Sequence, residues 1–445
     1  MLNSKKKQLY RILSSMDEVH NDIRIRLLGE NKVGIIDILT ECQESAINIG
    51  EFIDKIEGEG TQTVSIIEKY CEEIYQISQN ISYWIGKDKI YSNLKQYLID
   101  IGNSIQNDLP TRYEVVFFPY KASMWDSLES IWKVAEADID IDAYVIPIPY
   151  FDLNPDHSYG QMHYEGNQYP KDIPIYSWEQ YDVEKRMPDA VFIHNPYDGT
   201  NHITSVHPNF YASNLKKHTD LLVYVPYFVA LDDVEEHFCI MPATFYADKV
   251  ILQSEKIKDT YVRFFGNLVK EKKLEKIFPQ YKNKFIALGS PKFDKVMSTK
   301  KEECSIPNDW KRLIKDEEGK DRKVILYNTT ITALLNYNEK FLDKIENVLE
   351  IFRTNKKIIL LWRPHPLNIE TCASMRPALL ERYTSIVEKY KAEGWGIYDD
   401  TSDMNRAIAI SDAYYGDWSS IVALYKATGK PIMIENIERL NEERV

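Results

Sequence analysis

Apolar residues recur at three- and four-residue spacing through "LYRILSSMDEVHNDIRIRLL", "VGIIDILTECQESAINIGEFIDKI" and "VSIIEKYCEEIYQISQNISYWI", with "GEGTQ" as a break between the last two. That period is the mark of amphipathic helices, and the first proline, Pro110, appears only after them. The pattern predicts an N-terminal helical region over residues 1–110. Its plainest role is packing and dimerisation, and a sharper one is docking on a partner or membrane face.

From residue 113 the text changes to short apolar runs separated by helical or polar stretches: "YEVVFFP", "AYVIPIP", "DAVFIHNP", "LLVYVPY", "KVILQS" and "FIALGSP". A second series, "VILYNTT", "KIILLWRPHP", "WGIYDD", "AYYGDWSS" and "PIMI", follows the charged stretch "KDEEGKDRK". Short strands that are apolar throughout are buried on both faces, as in parallel sheets covered by helices. The fold expected is α/β, with two tandem parallel-sheet domains over residues 111–300 and 301–445 after the helical region.

Ligands of open parallel sheets collect outside the carboxyl ends of the strands. The runs end there in polar clusters: "HNPYDGTN", "GSPKFD", "NTT", "RPHP" and "GDWSS". One such cluster is an ordinary turn or cap; five suggest two active-site rims facing one another. In "GDWSSIVALYKATGKP", Asp417 is placed to cap a helix whose first turn holds Ser419 and Ser420, and Gly429 with Pro431 would stop it. Two roles fit: a plain cap, or an anion site built from free amides, the positive dipole end and two hydroxyls. Arg363 and His365, on a proline-stiffened loop of the same sheet, favour the anion site, because a guanidinium fork suits phosphate oxygens and an imidazole can donate to them.

The 445 residues exceed what one core usually serves, and 44% hydrophobic with 12% aromatic residues indicates an ordered chain. A formal charge of -13 argues against general capture of nucleic acid or anionic lipid. "NSKKKQ", the densest early basic run, reads as a solvated helix start. Cys42, Cys71, Cys239, Cys304 and Cys372 form no C-x-x-C pair, which argues against a structural zinc or a disulfide framework. With no long apolar run and no signal-like segment, a cytoplasmic location is expected, at most peripheral to the inner membrane face. "LDD" at Asp232 and Asp233 and "YDD" at Asp399 and Asp400 read as solvated turns.

"LGSPKFD", "ILYNTT", "RPHP" and "DMNRAIAISDAYYGDWSSIVALYKATGKPIMI" resemble the CDP-glycerol glycerophosphotransferase family, which makes teichoic-acid-type polymers on a GT-B fold. The likeness spans roughly residues 113–434. It implies two Rossmann-type domains facing a cleft and transfer of glycerol phosphate, or a related alditol phosphate, from a CDP-activated donor to a polymer, glycan or lipid-linked hydroxyl, releasing CMP. No cofactor or metal is implied beyond that donor, CDP-glycerol or CDP-ribitol. Arg363, His365, Ser419 and Ser420 would contact the diphosphate, Asp417 would fix the turn, and Thr329, Thr330, Asp403 and Ser290 would line the donor side, His365 also acting catalytically. The family's Trp-His-Gly type motif is missing here. In its place stands "FIHNPYDGTNHIT", with His194 as first choice for the acceptor base, His202 as second, and Asp198 beside them on the acceptor side.

After "KPIMI" only "ENIERLNEERV" remains, where GT-B chains commonly add a returning helix, so either this variant is short or the chain is cut. Two other functions stay open: a different GT-B enzyme, either a nucleotide-sugar glycosyltransferase or an epimerase, and a non-catalytic scaffold derived from a transferase. Partners expected are the activated donor, the acceptor, a possible membrane surface and a second copy joined through the N-terminal helices; nucleic acid is not among them.

Overall fold

The computed structural model describes residues 1–28, 34–80, 87–154, 156–231 and 233–435. Val33, residues 81–85, Asp232 and the tail 436–445, on which some of the readings above fall, lie outside the described residues. Four helices open the chain: α1 (Asn3–Leu28), α2 (Ile35–Glu57), α3 (Gln62–Asn80) and α4 (Lys87–Asn107). Ile35, Leu39, Cys42, Ala46, Ile49 and Ile53 form one buried stripe of α2, which fits the three-to-four spacing. The helices share a core of their own.

"NSKKKQ" is not solvated throughout. Lys6 is buried and donates to the Leu109 carbonyl (2.6 Å) and the Thr111 hydroxyl (2.8 Å). Lys7 pairs with Asp220 and with Asp189 (3.5 Å), and Asn3 donates to Asp189 (2.6 Å). The basic run therefore fastens the helical region to the first sheet; a buried ammonium needs such acceptors.

That sheet has the order β2-β1-β5-β7-β8-β9, with β1 (Tyr113–Phe118), β2 (Ile141–Val145), β5 (Ala190–Ile193), β7 (Leu221–Tyr224), β8 (Lys249–Leu252) and β9 (Phe285–Ala287), all parallel. The second has the order β12-β11-β10-β13-β14, with β10 (Lys323–Thr329), β11 (Ile358–Pro364), β12 (Ile397–Tyr398), β13 (Ala413–Gly416) and β14 (Ile432–Ile434), again all parallel. Strand order reverses beside β1 in one sheet and beside β10 in the other, which makes β1/β5 and β10/β13 the switch points where such folds leave a crevice.

A third sheet, antiparallel, was not expected from the sequence: β3 (Tyr150–Leu153) lies between β4 (Tyr159–His163) and β6 (Thr204–Val206). Its strand β4 falls near the start of an aromatic-rich stretch, "SYGQMHYEGNQYPKDIPIYSWEQYD". The helix Pro291–Ser298 bridges the two α/β domains: Lys292 pairs with Asp126 (2.6 Å) and Ser130 donates to Asp294 (2.7 Å), while Val296 joins the core of the second sheet. All five cysteines are free. No helix among the described residues is long and apolar enough to cross a membrane.

Candidate active site

β10 is flanked by β11 and β13, so "NTT", "RPHP" and "GDWSS" emerge side by side at one edge of the sheet. Their register is tight: Asn328 stands opposite Arg363 on one side and Gly416 on the other. Gly416 has φ +137°, and a Cβ there would come within 2.2 Å of the Asn328 carbonyl, so only glycine fits.

Beneath this edge lies a buried polar network. Asn328 donates to the Arg363 carbonyl (2.9 Å) and accepts from Ser419 (3.1 Å) and Tyr414 (3.3 Å). Asp417 does not cap the helix that follows it. Its carboxylate turns back to accept from the Thr330 amide (2.7 Å) and hydroxyl (3.1 Å), and it pairs with Lys344. Lys344 is fully buried and also meets Glu435 (3.3 Å), whose carboxyl burial pushes above the usual range. Asp417 turns back for a physical reason: a lysine on the apolar stripe of Glu339–Arg353 needs anionic partners, and Asp417 is one of them.

The helix Ser420–Ala427 is consequently capped by no side chain. Ser419 occupies the N-cap position, half-buried, and Ser420 is exposed in the first turn. Trp418 is exposed, with the Lys426 ammonium 5.1 Å from its ring centre. Gly429, at φ +69°, follows the end of the helix, as the sequence implies.

Arg363 is buried and its fork is committed. It pairs with Asp399 and donates to the Thr401 carbonyl (2.6 Å). Asp399 is fully buried, not solvated, while Asp400 is exposed and meets Lys391 at 3.3 Å. Asp233 is an exposed carboxylate that accepts from Thr260 (2.6 Å).

His365 is the outward group of "RPHP". Its Nδ1 accepts from the Leu367 amide (3.2 Å), so the proton resides on Nε2, and partial burial lowers its pKa. It lines a cavity of about 150 Å³ together with Arg363, Asn368, Tyr398 and Thr401. Asn368, itself buried, donates to Tyr383 (3.2 Å) and keeps an unpartnered amide oxygen, a signal the sequence does not carry.

Thr329 is buried and accepts from the Trp362 indole (3.1 Å), away from that cavity. Thr330 caps the helix Ile331–Tyr337 through Ala333 (3.2 Å). Asp403 is exposed and caps Met404–Ile410 through Arg406 (2.9 Å). Ser290 caps the bridging helix through Lys292 (3.4 Å).

On the first sheet, His194 sits at the β1/β5 switch point, fully buried. The Tyr120 amide donates to its Nε2 (2.7 Å), leaving Nδ1 to donate to Ser127 (2.8 Å), which donates in turn to the Met124 carbonyl (2.7 Å). Burial and then the Lys292 charge push its pKa down to about 3. Both nitrogens are engaged, so the ring has no lone pair left for an acceptor hydroxyl. Asp198 is a buried cap, accepting from the Ala212 (2.8 Å) and Ser213 (3.5 Å) amides, and burial lifts its carboxyl to about 6. His202 is exposed, its ring 5.3 Å from that of His157. The residues expected on the acceptor side are thus not brought to one point, whereas the loops "NTT", "RPHP" and "GDWSS" emerge side by side.

No curated protein matches the chain. Among solved structures, UDP-GlcNAc 2-epimerase from Methanocaldococcus jannaschii is 12% identical with a TM-score of 0.45, covering 75% of this chain and 87% of that one. Another UDP-N-acetylglucosamine 2-epimerase is 13% identical with a TM-score of 0.45, covering 75% and 81%. The wall teichoic acid polymerase TagF is 13% identical with a TM-score of 0.42, covering 85% and 81%. Residues 246–441, from the end of the helix Pro242–Tyr246 through the whole second sheet, match the family described as CDP-Glycerol:Poly(glycerophosphate) glycerophosphotransferase, and the resemblance carried by "RPHP" and "GDWSS" is borne out over that stretch.

Proposed function

We propose that the protein transfers glycerol phosphate, or a related alditol phosphate, from a CDP-activated donor to a hydroxyl acceptor, with release of CMP. The observation that carries this reading is the adjacency of the loops bearing His365, after β11, and Ser419 and Ser420, after β13, on either side of β10 in the stretch matched by the family. The uncapped amides at Ser420, the two serine hydroxyls and the Nε2 proton of His365 would receive the diphosphate as charge grows on the leaving CMP.

Arg363 supports the site from beneath. With its fork held by Asp399 and Thr401, it fixes the loop that presents His365. Asp417 does the same for the serine turn through Thr330 and Lys344. The cavity beside His365 suits a nucleobase. The unpaired oxygen of Asn368 would accept an N–H of such a base.

Calorimetric titration with CDP-glycerol, CDP-ribitol and UDP-N-acetylglucosamine, together with CMP release, tests the reading. A CDP-alditol is expected to bind at least tenfold more tightly than the UDP-sugar, and His365→Ala to lower CMP release by about 100-fold or more. Preference for the UDP-sugar would sink it, and so would undiminished release by His365→Ala.

A further inference from the structure

The added antiparallel sheet carries a histidine–carboxylate pair that no part of the donor site uses. His163 stands opposite Tyr150 in the β3/β4 register, and Asp152 lies two residues further along β3, so the three side chains share one face. His163 Nε2 donates to the Asp152 carboxylate (2.7 Å), and its ring stacks on Tyr150 with centres 5.1 Å apart and planes 24° apart. Nδ1 has no hydrogen-bond partner among the described residues. A carboxylate on one nitrogen and a free lone pair on the other is the arrangement of an oriented base, the opposite of His194.

The pair lies beside the domain junction. Tyr120 follows the end of β1, packs edge-on against Tyr150 (5.0 Å) and reaches Thr204 of the same small sheet (2.6 Å). Lys121 holds its ammonium 4.9 Å from the Tyr150 ring centre and 5.2 Å from that of Tyr120, with no carboxylate within 4.0 Å among the described residues. A few residues on, Asp126 accepts from Asn405 of the second domain (3.5 Å), which puts this end of the first sheet against that domain.

We propose that this face of the small sheet is the acceptor subsite, with His163 as the base for the acceptor hydroxyl, Asp152 orienting its ring, and Lys121 holding a phosphate of a polyol-phosphate acceptor. The proposal rests on the transferase reading above. His163 Nδ1 takes the hydroxyl proton as the acceptor oxygen bonds to the phosphorus that bears the alditol. The bond from that phosphorus to the bridging oxygen breaks, and CMP leaves with the electron pair. The imidazolium, facing Asp152, then returns its proton to solvent.

The test measures transfer from CDP-glycerol to a synthetic glycerol phosphate oligomer, alongside calorimetric binding of CDP-glycerol and the melting midpoint. His163→Gln keeps an amide donor for Asp152 but removes the basic nitrogen. It is expected to lower kcat by about 100-fold or more with CDP-glycerol affinity within twofold of the unaltered protein. Asp152→Asn, on an exposed partner that the fold tolerates, should lower kcat about tenfold, and Lys121→Met should raise the oligomer's KM while leaving kcat within about twofold. Transfer by His163→Gln within about threefold of the unaltered rate overturns the assignment, as does an unchanged oligomer KM in Lys121→Met. Failure of the unaltered protein to bind CDP-glycerol at all is a separate outcome: it removes the transferase reading and this subsite with it.

Discussion

The two switch points hold different chemistry at the same place in the same kind of sheet. At β10/β13 the crevice is closed below by ion pairs, Arg363 with Asp399 and Lys344 with Asp417, and the exposed His365 and Ser420, with the half-buried Ser419, lie two or three residues further along the chain. At β1/β5 it is closed by a neutral imidazole whose nitrogens are both taken. Buried charge in a parallel sheet must be paired, and pairing fixes geometry. The second sheet therefore carries a stiff platform with polar groups above it, while beside the first the histidine with an unengaged ring nitrogen stands on the added sheet. The type of residue at a strand end does not reveal which role it has. Burial decides it.

The sharpest way to break the comparison is to leave a platform charge unpaired. Arg363→Met strands Asp399, which is fully buried, and should cost about 3–5 kcal/mol in urea unfolding, an effect on stability and not only on catalysis. If Arg363 touches the donor directly and matters little to the fold, the midpoint will instead stay put while CDP-glycerol binding is lost. The double change Arg363→Met with Asp399→Leu should recover much of the stability, because it removes the stranded charge.

His194 gives the next largest signal, and it is read as a slope. Its folded pKa, about 3, lies below the ordinary 6.5, so the unfolded chain binds the extra proton between those values. Stability from this group is complete above pH 6.5 and falls as pH drops, by roughly 1.4 kcal/mol per unit. Asp198, lifted to about 6 from 3.8, tilts the curve the other way in that window. The tilt is common to both proteins, so the difference between the unaltered protein and His194→Gln isolates the histidine. Urea midpoints from pH 4 to pH 7 should converge toward acid. Parallel curves would mean that His194 is accessible to protons in the folded state.

Much of the architecture is legible in the sequence. Each of the eleven apolar runs read as a strand in the two series contains a parallel strand, because doubly buried strands must be apolar throughout. The convergence of three polar loops on one edge followed from strand-end logic. What the text could not convey was pairing across distance. Asp417 looks like a cap because Ser419 and Ser420 follow it; its real partners, Thr330 and Lys344, are far away in sequence. Lys344 did leave a trace, since it stands among Phe341, Leu342, Ile345 and Val348, all buried, where a solvated lysine is out of place. His163 left none: a short strand among tyrosines reads as a loop until Asp152 is seen beside it.

The dipeptide Asp399–Asp400 offers the finest control on burial as the deciding variable, because chemistry and chain position are nearly constant. Asp400 is exposed and meets Lys391 at 3.3 Å. An exposed pair gains little over hydration and is screened by salt, so Asp400→Asn should shift stability by less than about 1 kcal/mol, and that shift should fade on raising the ionic strength. Asp399→Asn, one residue earlier, removes the carboxylate that neutralises buried Arg363 and should cost several times as much, with little dependence on salt. Equal losses at the two positions, or a strong salt dependence at Asp399, would mean that water reaches the Arg363 pair. The platform would then be an exposed ion pair, and Arg363 would be free to meet a phosphate.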